Sequence, residues 1–112
     1  MKNTKTYDVK IYQIEDVAAT PYAFRGWGDN KDLFTPKMKD YKEVAHFTRD
    51  AQTVVEVLDL VYELGNCGTL KQLIPGMRSV SVSDIIEVDG MRFYVDSFGF
   101  TALGKVIKVE EA

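Results

Sequence analysis

At 112 residues, with 46% apolar and 28% charged side chains, the chain has enough apolar material for one globular core and too much for a disordered segment. Its 14 basic and 17 acidic residues, a net charge of −3, argue against a general binder of phosphate backbones, whose affinity comes from clustered Lys and Arg. A single cysteine, Cys67, excludes an intramolecular disulfide and suits a reducing cytoplasm.

Residues 1–6 read as a short frayed tail. Lys2 and Lys5 make it basic, but Asp8 and Lys10 interrupt any apolar run after it, so it does not read as a signal peptide. No stretch approaches the ~20 apolar residues that cross a bilayer. In residues 7–14, Tyr7, Val9 and Ile11 face one way and Asp8, Lys10 and Tyr12 the other, the period of a strand. Residues 15–40 hold Pro21, Gly26, Gly28 and Pro36 among aromatics; a short strand over 22–25 is expected, then a turn at Gly26-Trp27-Gly28-Asp29-Asn30.

Residues 41–48 are expected to form another strand. The period then changes: Val54, Val57, Leu58, Leu60, Val61 and Leu64 sit at helical spacing. Thr53 with Glu56 fits a capping box, with Asp50 the rival cap, and Gly65-Asn66 ends the pattern. The helix is expected from Ala51 or Val54 to Leu64. Its β-branched valines are mediocre helix formers, so tertiary packing must hold it. A short second helix over 68–73 could precede Pro75-Gly76.

The strongest local signal is Ile85-Ile86-Glu87-Val88, Asp89-Gly90, Met91-Arg92-Phe93-Tyr94-Val95. Asp-Gly suits a two-residue type I′ turn, which needs positive φ at both positions. If Val88 opposes Met91, then Glu87 opposes Arg92 and Ile86 opposes Phe93, so charges pair on one face and apolar groups on the other. A last strand is expected over 104–110. Segregated strands with one main helix predict an α+β fold: a mainly antiparallel sheet with a C-terminal β-hairpin, and the helix packed on one face. Residues 1–112 read as a single domain of this kind.

Catalytic and metal signatures are sparse. The one histidine, His46, lies in an expected strand and reads as a packing or surface residue. Cys67 falls just past a helix C-terminus, where the dipole disfavours a thiolate. One Cys and one His do not make a zinc site. Asp29-Asn30-Lys31-Asp32 lacks the rest of a calcium loop, and Gly26-Trp27-Gly28 lacks the third glycine of a dinucleotide fingerprint. No cofactor, no metal and no catalytic residue is expected. Phe93, Tyr94, Phe98 and Phe100 could stack single-stranded nucleic acid, but core packing explains them better in an acidic chain.

Two surfaces remain as candidate contacts with a partner. Arg25 and Trp27, in a glycine-flanked loop, are the residue types that dominate binding hot spots. Trp27 could equally fold into the core, with Arg25 covering it. Glu56, Asp59 and Glu63 recur at three- and four-residue steps opposite Val54, Val57 and Val61. They form a solvated face, or an acidic stripe offered to a basic partner.

The run Ser79-Val80-Ser81-Val82-Ser83-Asp84-Ile85-Ile86, followed by Phe93-Tyr94-Val95-Asp96-Ser97-Phe98-Gly99-Phe100, resembles the signature of the YodL-like domain family. Residues 7–15 and 58–66 are also similar to the family pattern; the similarity over 17–48 is much weaker, and nothing is carried over there. The resemblance implies an accessory module of bacterial mobile elements, found alone or within larger polyvalent proteins. It brings no catalytic residues. The implied setting suggests a host-defence inhibitor of anti-CRISPR or antirestriction type, acting in the cytoplasm on a host protein such as a CRISPR effector or a restriction enzyme. The alternatives are a nucleic-acid-binding accessory domain using the hairpin aromatics, and a small enzyme built on Asp84 and Asp96.

The motif also has a physical reading. Ser81, Ser83 and Asp84 can bond backbone where a loop enters a strand. Asp96 and Ser97 can do the same where the hairpin ends, and Gly99 can supply an unusual φ between Phe98 and Phe100. Asp84 should oppose Val95, which places it near Asp96 across the hairpin ends. The pair is expected to be structural, since hydroxyls and amides abound there and no base or metal ligand does.

Overall fold

A computed structural model of the chain describes residues 4–20, 23–24, 38–66, 77–96 and 99–105. Alternation sets its first strand. β1 (Lys5–Ile14) buries Tyr7, Val9, Ile11 and Gln13 on one face, with Asp8, Lys10 and Tyr12 on the other. It starts inside the expected tail, because Lys5 pairs with Asp89 at 2.9 Å and the Thr6 hydroxyl donates to Asp50 at 2.6 Å. β2 (Tyr41–Ala51) runs antiparallel to it and continues past the expected end at Thr48. A bulge at Val44 shifts the register between Ile11 and Tyr12.

The expected short strand over 22–25 is corrected at its described residues. Ala23 and Phe24 form a turn in which Ala23 N–H donates to Thr20 O at 3.1 Å. Phe24 has φ 62°, a left-handed conformation no strand accommodates. Single 3₁₀ turns stand at Val17–Ala19 and Met38–Asp40.

α1 (Val54–Asn66) begins where the threonine signal places it. Thr53 Oγ1 accepts Glu56 N–H at 3.2 Å and Thr53 O accepts Val57 N–H at 3.2 Å. The helix runs two residues beyond Leu64. Val57, Leu58 and Val61 are buried against Val9, Ile11, Ile86 and Val88 of the sheet. Each such side chain contributes about 1.5–3 kcal/mol by leaving water.

β3 (Ile85–Val88) and β4 (Met91–Val95) form the expected hairpin in the expected register, with Val88 opposite Met91, Glu87 opposite Arg92 and Ile86 opposite Phe93. Asp89 and Gly90 have φ 49° and 83°, as a type I′ turn demands. The turn is pinned to β1: Asp89 N–H donates to Asp8 O at 2.9 Å, and Asp8 N–H donates to Asp89 Oδ1 at 2.7 Å. That amide and the Lys5 ammonium hold the Asp89 carboxyl below its ordinary value.

β5 (Phe100–Lys105) begins four residues before the start of the strand expected over 104–110. The chain reverses tightly after β4: Asp96 N–H donates to Gly99 O at 2.9 Å and Gly99 has φ 78°. The return strand therefore starts at once. Residues 106–110 lie outside the described ones, as does the helix considered over 68–73.

The strands lie in the order β2-β1-β3-β4-β5, each neighbour antiparallel, with α1 on one face, an α+β fold. β3 is buried on both faces. Opposite the helix, Ile14, Tyr41, Ile85 and Tyr94 form a second buried cluster, with Tyr12, Ala23, Met38 and Leu103 packed on it. Among the described residues, no helix is long and apolar enough to cross a membrane.

Candidate functional site: the motif loop and the outer helix face

Gln13 continues the buried face of β1, where an unpaired amide would be costly. Its Oε1 accepts Arg78 N–H at 3.0 Å, which fixes the acceptor end of the amide. Its Nε2 then donates to Arg78 O at 3.0 Å and to Asp84 Oδ2 at 3.1 Å. The same Asp84 oxygen accepts Ser81 N–H at 2.9 Å, and Asp84 N–H returns to Ser81 O at 3.0 Å. Arg78 Nη2 donates to Ile14 O at 2.8 Å. The segment before β3 is thus laced to β1 through one glutamine and one carboxylate.

Ser83 ties the segment in three further directions. Its N–H donates to Val95 O at 2.9 Å, its carbonyl accepts the Tyr41 hydroxyl at 2.5 Å, and its Oγ accepts Phe24 N–H at 2.8 Å. Its φ is 82°, a left-handed conformation uncommon outside Gly, Asn and Asp. Ser81 Oγ donates to Ser79 O at 3.0 Å.

Asp84 is 1% exposed and its carboxyl is raised to about 6. Burial is the main cause; the Ser81 amide, the Gln13 amide and the Arg78 charge oppose it. Val95 N–H donates to Asp84 O at 2.8 Å, so Asp84 opposes Val95. The carboxylates of Asp84 and Asp96 engage different groups. Asp84 is held by Gln13 and Ser81, whereas Asp96 Oδ2 accepts the Thr101 hydroxyl at 2.6 Å across the β4–β5 turn. These bonds organise loops, and none of them activates a nucleophile.

The outer face of α1 is the second feature. Glu56, Asp59 and Glu63 are exposed, as their spacing predicts. Beside them, Val55 and Tyr62 are 65% and 40% exposed, one heptad apart along the helix. The Tyr62 ring meets Phe100 of β5 edge-on, centroids 6.3 Å apart. A helix that buries Val57, Leu58 and Val61 therefore also offers an apolar pair flanked by acids.

The sheet face opposite α1 carries a charge cluster. Glu87, nearly buried, lies 3.2 Å from Arg92 Nε and 3.8 Å from Lys10 Nζ, and Lys10 also reaches Glu43 at 4.0 Å. The Tyr12 hydroxyl donates to Glu87 at 3.4 Å, and burial together with the Glu87 charge pushes that phenol upward. His46 Nε2 lies 2.8 Å from Asp8 Oδ1, both half-exposed. Among the described residues, no group of three His, Cys, Asp or Glu is placed to hold a metal ion.

Arg25, Trp27, Cys67, Phe98 and Ser97 lie outside the described residues, as do Gly26, Gly28 and residues 29–32. Of the hairpin aromatics, Tyr94 is fully buried, and Phe93 and Phe100 pack on the helix-side core. The residues missed from sequence are Gln13, Tyr41, Phe24 and Arg78. Gln13 alone left a signal, a polar side chain in phase with Tyr7, Val9 and Ile11. Comparisons with protein-family models, with curated proteins and with solved structures found no match.

Proposed function

We propose that this chain is a non-catalytic macromolecule-binding module of a bacterial mobile element, inhibiting a host-defence protein of the CRISPR-effector or restriction-enzyme class by binding it. The observation that carries the binding half is the outer face of α1. Val55 is largely exposed, Tyr62 with its ring edge on Phe100 continues the stripe at 40% exposure, and Glu56, Asp59 and Glu63 line its side. Exposed apolar groups rimmed by like charge suit a partner surface with an apolar centre and basic rim. The defence half rests on the resemblance of residues 79–86 and 93–100 to YodL-like domains. The engagement of Asp84 and Asp96 by loop amides and a hydroxyl favours binding over turnover.

The test is inhibition of DNA cleavage. Purified CRISPR effectors and restriction endonucleases are assayed with the wild-type protein and with a Val55→Ser/Glu63→Lys variant. Inhibition by the wild type that the variant loses, with an unchanged thermal melt, is the expected result. Equal inhibition by both proteins would move the contact off this helix face. No inhibition of any such enzyme at micromolar protein would sink the defence reading.

A further inference from the structure

We propose that Asp84 is a proton-controlled latch that fixes the segment 77–84, and the Phe24 turn it carries, to the sheet. The geometry is that of a carboxylate buried at 1% exposure whose bonds come from neutral donors, Ser81 N–H and Gln13 Nε2. Each element packed on the segment contributes a neutral group to this contact. β1 brings Gln13, β4 brings the Val95 backbone, and β2 brings the Tyr41 hydroxyl to Ser83 O. Among the described residues, the one formal charge acting on Asp84 is Arg78, whose guanidinium is bonded to Ile14 O. The latch holds more than itself. Ser83 Oγ accepts Phe24 N–H, and Arg78 stands 5.6 Å over the Phe24 ring, which is 53% exposed. Phe24 has φ 62°, a conformation a bulky side chain keeps only when its surroundings enforce it.

With the segment closed, the carboxyl titrates at about 6; once opening wets it, it returns toward the ordinary 3.8. The closed form binds the proton more tightly, so opening releases a proton between those values. The segment is tightest in acid and loosens as pH rises, by up to about tenfold per pH unit and about a hundredfold in all, with a plateau above the closed-state value. Near neutral pH the ionised carboxylate remains held by two donors but no longer repays its burial fully. The Phe24–Arg78 pair is then presented by a looser loop.

Native-state hydrogen exchange tests this, with opening constants corrected for the intrinsic pH dependence of exchange. The amides of Ser81, Ser83 and Val95 should open more readily than those shared by β1 and β3. Their opening constants should rise between pH 4.5 and 6 and then level off, and Asp84→Asn should flatten the trend. A flat wild-type profile would overturn the latch. So would a trend that survives in Asp84→Asn, or loop amides that open only together with the β1–β3 amides. Should Asp84→Asn fail to fold, the carboxyl carbon shift of Asp84 in the wild-type protein decides. A midpoint near 6 sustains the proposal and one near 4 removes it.

Discussion

Gln13 shows how one polar residue on an apolar face can organise a loop. Replacing it by Ala strands Arg78 N–H and takes one of two donors from a buried carboxylate. A buried group left unsatisfied costs about 1–3 kcal/mol, and more when it is charged. Gln13→Ala should therefore cost about 2–4 kcal/mol at pH 7, read from urea unfolding. Losing the amide also raises the Asp84 carboxyl further, since the Gln13 bond lowers it. The protonated acid misses that donor less, so the penalty should be smaller at pH 5 than at pH 7. A penalty that grows toward pH 5 would contradict the role given to the Asp84 charge.

At the scale of elements, what could be read from sequence is what short-range chemistry decides. The hairpin register follows from Asp89-Gly90, because the turn type fixes which residues face each other. The helix start follows from a hydroxyl three residues before a glutamate. Thr53→Ala should cost about 1 kcal/mol. Thr53→Ser should cost only a fraction of that, as its hydroxyl still reaches Glu56 N–H; equal losses in chemical denaturation would show that the cap contributes nothing. The misplaced elements depend on distant partners. Phe24 sits in a turn because Ser83, far along the chain, takes its amide, and no local pattern encodes that. β2 outruns its expected end because β1 begins at Lys5, opposite Ala51. The outer helix face was legible as charge, but Val55 and Tyr62 beside it were not. A helical period marks residues as apolar without saying which of them stay wet.

At the scale of the whole molecule, the sheet order makes the first strand an organiser of the rest. β1 lies between β2 and β3, and its inner face meets α1. Its partners arrive later in the chain, so these pairings are long-range and close large loops before they stabilise anything. Ile11 is the sharpest probe of this arrangement. It is fully buried, opposite Ala45 on one side and Ile86 on the other. Ile11→Ala should cost about 2–5 kcal/mol through lost burial and the cavity left behind, a large share of the about 5–15 kcal/mol that holds a domain together. Val55→Ala, on the exposed face of α1, removes a smaller side chain from water-facing surface and should stay within about 0.5 kcal/mol. The two variants therefore separate folding from recognition. Ile11→Ala should lower the thermal midpoint by many degrees, whereas Val55→Ala should leave the melt in place and weaken inhibition alone. A Val55→Ala melt displaced as far as that of Ile11→Ala would mean that the helix face taken as a docking surface is part of the core.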